Sequence, residues 1–196
     1  MTLRRLGISA VGAMAIPALL SAQQAGYGVA QANRAPDKDA TQIMITSFKT
    51  FDTAENDKKE KGIAYLSSDE MRKKVESAFP YKQVYVVPVE RINPNLIASQ
   101  FSTTEGLESH DAKQLAVMLR ADEFTMGTVE RTATGYKATA DLVLTRDLSA
   151  RQPLGVAEAP KLGDAIGILV KEMKEARKQS DGEKKCTNAA RDGKYP

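Results

Sequence analysis

The sequence predicts an α/β domain, a small mixed sheet with helices packed on it and further helices at the C-terminus, on three observations. Two short apolar runs, Ile43–Phe48 and Val84–Val87, are separated by a segment with helical spacing, the order of a strand, a crossover helix and a second strand. Tyr136, Ala138, Ala140, Leu142 and Leu144 alternate with their neighbours at period two, the mark of a half-buried strand. Leu162, Ala165, Ile166, Leu169, Val170, Met173 and Ala176 hold one helical face over four turns.

Taken in order, Ile43–Phe48 is β-branched and apolar between polar flanks and reads as the first strand. Asp52 to Lys61 is a solvated charge run, an exposed loop or the frayed start of a helix. A helix is expected from Ile63 to Phe79, because Met71, Val75, Ala78 and Phe79 share a face and Pro80 cannot continue it. Val84–Val87 is apolar throughout, as in a strand covered on both sides, and Pro88 ends it. A short second helix is expected at Leu96 and Ile97, entered through Asn93-Pro94. Ser102 to Gly106 is a polar link. The third helix spans Ser109 to Leu119, with Ser109 or Asp111 placed to accept its first N–H groups and Ala112, Leu115, Ala116 and Leu119 on its inner face. Phe124–Arg131 and Tyr136–Leu144 form a hairpin about the turn Thr132–Gly135, where Gly135 is free to take positive φ. Leu154 to Val156 suggests a shorter strand. The last long helix runs from Leu162 to about Gln179, Gly182 interrupts it, and Glu183 to Asp192 forms another helical piece.

The amino terminus addresses the compartment. Arg4 and Arg5 are followed by an uncharged stretch from Leu6 to Leu20. Its roughly 15 residues are too few for a bilayer core, which takes about 20, but fit the apolar region of a secretory signal. Small residues then offer cleavage after Ala22 or after Ala32, so residues 1–32 read as signal peptide and flexible leader. Removal leaves no integral membrane span and a net charge of roughly +1, from the +3 of the whole chain. The twin-arginine pattern is incomplete, and no cysteine follows the apolar region to take a lipid.

Composition excludes several chemistries. Charged residues make up 27% of the chain in mixed sign, and with no Trp there is neither a basic stripe nor a stacking platform for nucleic acid. His110 is the single histidine and Cys186 the single cysteine, so no triad and no zinc set is legible, and an internal disulfide cannot form. His110 is expected exposed or capping, and Cys186 a small apolar contact. Asp52–Asp57 lacks the glycine and spacing of a calcium loop, and no phosphate-cradling glycine motif follows the first strand. Gly163 and Gly167, two glycines on a helix, read as close packing or as a helix start. Glu90, Asp122 and Glu123 lie near strand ends, where α/β sheets bind ligands, and read as solvated charges. The sequence therefore predicts no catalytic residue, no cofactor and no metal site.

Two segments carry a family resemblance. Ala112–Asp122 runs straight into Glu123–Arg131, with Gly127-Thr128-Val129 inside it, and after Gly135 comes Tyr136–Leu144 with its Leu142-Val143 pair. Together with Phe48 and Val86-Val87-Pro88, this resembles the amino-terminal domain of TolB and its relatives in the FlgO and CsgG group, over about residues 41–178. The resemblance implies an envelope protein of a diderm bacterium, periplasmic or secreted, that binds envelope proteins through its sheet edge or helix surfaces and turns over no substrate. The chain departs from those families in lacking propeller blades and a lipidation cysteine. The tail from Cys186 to Pro196 resembles the first helix and turn of a tetratricopeptide repeat, so residues 180–196 are expected to open a helical segment after an α/β domain at 40–178. Two rival readings are a small-ligand sensor using the strand-end cleft and a hydrolase built on strand-end carboxylates.

Overall fold

The computed structural model describes residues 35–50 and 57–193. The expected signal and leader, most of the Asp52–Asp57 loop and Lys194–Pro196 lie outside the described residues. Residues 35–196 belong to one compact unit.

The elements follow the order β1 (Thr41–Ile45), β2 (Lys49–Thr50), α1 (Asp57–Ala78), β3 (Val84–Val86), α2 (Val89–Ala98), α3 (Ser109–Leu119), β4 (Glu123–Thr132), β5 (Gly135–Leu144), β6 (Asp147–Ala159) and α4 (Leu162–Arg191). They build a mixed sheet in the order β3-β1-β4-β5-β6, with β2 beside β4. β1 pairs in parallel with both β3 and β4, so α1 is the expected crossover between the first two parallel strands. The hairpin β4–β5 pairs from Glu123↔Leu144 to Thr132↔Gly135, and β6 adds antiparallel to β5.

Alternation along β1 assigns the two faces. Ile43 and Ile45 join one core with Met71 and Val75 of α1 and with Ile166, Leu169 and Met173 of α4. Met44 joins a second core with Ile92 and Leu96 of α2, Leu115 and Leu119 of α3, and Phe124 and Val143. α1 and α4 therefore cover one face and α2 and α3 the other. β3 is buried along its whole length, as its unbroken apolar run requires. Phe48 is fully buried, and a Cβ on Gly127 would stand 2.7 Å from its ring, so only glycine fits there. Asp122 ties the starts of β1 and β4 to the end of β5. Its carboxylate accepts from the Gln42 N–H (2.9 Å), its own N–H donates to Gln42 O (2.8 Å), and its carbonyl accepts from Thr145 (3.0 Å). Among the described residues no helix is long and apolar enough to cross a membrane.

Several sequence expectations are corrected. α2 starts at Val89, directly after Pro88, and holds Pro94 in its interior. An interior proline costs about 3 kcal/mol, but the turn before it buries Ile92 and, one turn on, Leu96. Burial of two aliphatic side chains at roughly 1.5–3 kcal/mol each outweighs that cost. Neither Ser109 nor Asp111 caps α3; Glu108 stands at its N-cap with no side-chain bond to the helix. β6 runs 13 residues rather than three. Its pairing shifts between Thr139 and Asp141, where Leu154 and Gly155 (φ +76°) form a bulge opposite Ala140, and Pro153 and Gly155 hide the strand from pattern reading. α4 continues unbroken through Gly182 to Arg191, and the left-handed glycine is instead Gly193 (φ +68°). A helical glycine costs about 1 kcal/mol against alanine, less than a helix end would forfeit in backbone bonds.

Candidate functional site

The residues flagged by sequence do not converge. His110 is exposed on α3, its Nε2 2.8 Å from Gln114 Nε2 one turn on. Cys186 is exposed on α4 rather than a small apolar contact, since it lies beyond Ser180, the last buried side chain of that helix among the described residues. Glu90 is exposed in the first turn of α2. Asp122 serves the strand junction. Glu123 is not the solvated charge expected of a strand end. It is fully buried, and its Oε2 accepts from Arg177 Nε of α4 at 3.2 Å. The Arg177 guanidinium also lies 5.4 Å from the centre of the Phe79 ring, so this pair clamps α4 to the sheet. Glu90, on α2, and Glu123, turned from β4 toward α4, thus stand on opposite faces of the sheet. Gly163 brings α4 close to α1, since a Cβ there would lie 3.2 Å from Glu70 Oε1. Among the described residues no group of three or more His, Cys, Asp and Glu side chains is placed to hold a metal.

The polar side chains that do converge gather where β1 ends. Thr46–Phe48 breaks the strand, and the chain re-enters the sheet at Lys49, which sits opposite Thr128 of β4. The Thr46 hydroxyl donates to Thr125 O (2.6 Å) and the Ser47 hydroxyl to Thr103 O (3.2 Å), so the break is held in shape. Beneath it lies Arg72 of α1, 8% exposed. Its Nη2 donates to Ile45 O (2.8 Å), while its Nε has no partner. Burial pulls this guanidinium below its ordinary range, against the opposing pull of Asp69. Arg72 lines a cavity of about 10 Å³ with Thr46, Ser47 and Asn93, space for one water.

Beside it, on the face that α3 covers only in part, opens a cleft of about 230 Å³. Thr128 and Thr139 form its floor, their hydroxyls 2.7 Å apart across the hairpin. Lys49 enters from β2 and bonds Glu108 Oε1 at 2.5 Å; Arg151 enters from β6, bonds Ser109 Oγ at 2.5 Å and lies 3.8 Å from Asp141. A wider, shallower hollow of about 580 Å³ lies at the opposite end of the sheet, where β1 and β4 start and β5 ends, between Lys38, Asp122 and Arg146. One sequence signal pointed to Arg72: an arginine on the inward side of a helix, between Met71 and Val75. Lys49 and Arg151 carried none, because each sits on a strand or strand portion that the apolar pattern does not mark.

No family model matches the chain, and no curated protein matches it. Solved structures similar to it include TolB from Acinetobacter baumannii at 12% identity and TM-score 0.43, covering 74% of this chain and 29% of that one. The LpoB C-terminal domain from Salmonella enterica is similar at 12% identity and TM-score 0.42, covering 67% and 90%. Lipoprotein GNA1162 from Neisseria meningitidis is similar at 15% identity and TM-score 0.44, covering 61% and 78%. The chain spans less than a third of the TolB protein it resembles.

Proposed function

We propose that this chain is a non-catalytic, exported interaction module of the bacterial cell envelope, with residues 1–32 a removed signal and leader. In this reading residues 40–178 form the binding domain, of the TolB, FlgO and CsgG kind, and 180–196 open a tetratricopeptide-like segment. The observation that carries it is β6. This strand closes one end of the sheet, and along Asp147–Gln152 its side chains alternate between exposed and partly buried. Val156, beside Thr139 on the open half of the sheet, is 61% exposed. A long sheet edge with accessible side chains on its flank is a surface that protein partners use. The test is a photo-reactive residue placed at Val156, and at exposed Glu172 on α4 as control, in cells expressing the full chain. Discrete adducts in the envelope fraction from the first position alone support the reading; equal labelling, or retention of the uncleaved chain in the cytosol, overturns it.

A second reading, a small-ligand sensor, is favoured by the cleft at the end of β1, where charged and hydroxyl groups from five segments meet. The hydrolase reading has no such support, since Glu90 and Glu123 stand apart.

A further inference from the structure

We propose that the cleft above Thr128 and Thr139 binds an acidic monosaccharide, a ring bearing one carboxylate and several hydroxyls; this deepens the small-ligand reading and rests on it. Size sets the class first. About 230 Å³ lies below the roughly 300–1,000 Å³ of sites for drug-sized ligands, and accommodates one sugar ring rather than a chain.

Charge sets the acid. β2 and β6 stand three strand spacings apart, about 14 Å across the sheet. Lys49 and Arg151 nevertheless reach two successive residues, Glu108 and Ser109, so their cationic tips converge over the cleft from opposite sides. The Glu108 side chain is 76% exposed, and exposed ion pairs of this kind contribute little. An incoming carboxylate can therefore replace Glu108 on Lys49 while accepting from Arg151, whose planar donors suit it.

The floor sets the hydroxyls. Thr128 and Thr139 each donate and accept, and Asp141 accepts only, a set that matches groups which themselves do both. The wall at Leu107 and Met126 faces the remaining, less polar side of the ring.

The experiment titrates D-galacturonate and, separately, D-galactose into the ¹⁵N-labelled full chain at millimolar concentrations and follows backbone amide shifts. Galacturonate is expected to move the amides of Gly127, Thr128, Thr139 and Ala140, and galactose to leave them in place. Lys49→Met and Arg151→Met are each expected to weaken binding about tenfold or more, the worth of a charge-assisted hydrogen bond. Lys49→Arg, which keeps the charge, retains binding, and unchanged shifts far from the cleft establish that each variant is folded. Equal shifts from galactose overturn the demand for an acid while leaving the small-ligand reading standing. Cleft amides that neither sugar moves overturn both, and galacturonate binding unaltered in both methionine variants overturns the site.

Discussion

Gly182→Ala separates the helix seen in the structure from the break that the sequence suggests. In α4 the residue is exposed, nothing lies within 4 Å of a Cβ built on it, and its φ is not in the left-handed region. The last buried side chain of the helix among the described residues is Ser180. Beyond it the described side chains, Asp181, Gly182, Cys186, Ala189 and Ala190, are exposed or half-buried, so among these the helix draws on backbone propensity and its junction with the packed part. Replacing glycine by alanine inside a helix is worth about 0.8–1.0 kcal/mol, which multiplies the helical population of the following turns about four- to fivefold. Hydrogen exchange reads this directly. Amide protection across 186–191 should rise about four- to fivefold, while the amides around Leu169, closed by the core, change little. Were Gly182 instead the left-handed residue ending a helix, alanine would cost roughly 1 kcal/mol there. Protection beyond 182 would then fall, and that result would refute the continuous helix.

Neighbouring positions on α4 give a second test: Leu169→Ala, fully buried, should cost about 2–5 kcal/mol in urea unfolding, and Ile168→Ala, 41% exposed, about 0.5 kcal/mol or less. Glu123→Gln keeps the shape of the buried side chain but removes the charge facing Arg177, and should cost about 3 kcal/mol. Scanning calorimetry would show that loss as a melting temperature lower by roughly 6–12 °C, and an unchanged transition would mean the clamp contributes nothing. Asp147 sits below the ordinary carboxylate range because the Ser149 hydroxyl, then the Ser149 N–H, donates to it. Ser149→Ala should raise its titration midpoint by NMR toward the ordinary value, the backbone bond keeping part of the depression. A depressed carboxyl stabilises the fold at pH above its unfolded value and loses that contribution as pH falls, so the variant's deficit should appear near neutrality and vanish in acid.

Much of the architecture was legible in local periodicity, because the residues that bury a face must recur at the period of the element that carries it. The spacing of Met71 and Val75, of Ala112, Leu115 and Leu119, and of Leu162 through Met173 marked helices that the structure places on the sheet. Tyr136–Leu144 marked β5 for the same reason. β6 escaped because only Leu154 and Ala157 are buried along it; an edge strand with one flank in water shows little apolar pattern to read.

What the sequence determined by itself was the set of elements that bury their own apolar residues, and through them the mixed α/β class. Tertiary structure alone decided the rest. Arg177 meets Glu123 54 positions away in the chain, and Arg151 meets Ser109 across 42, so both pairs exist only because strand order and helix docking bring them together. Whether a charge becomes a buried clamp, a cleft wall or a solvated end is set by what packs above it, and residue type carries no record of that neighbour.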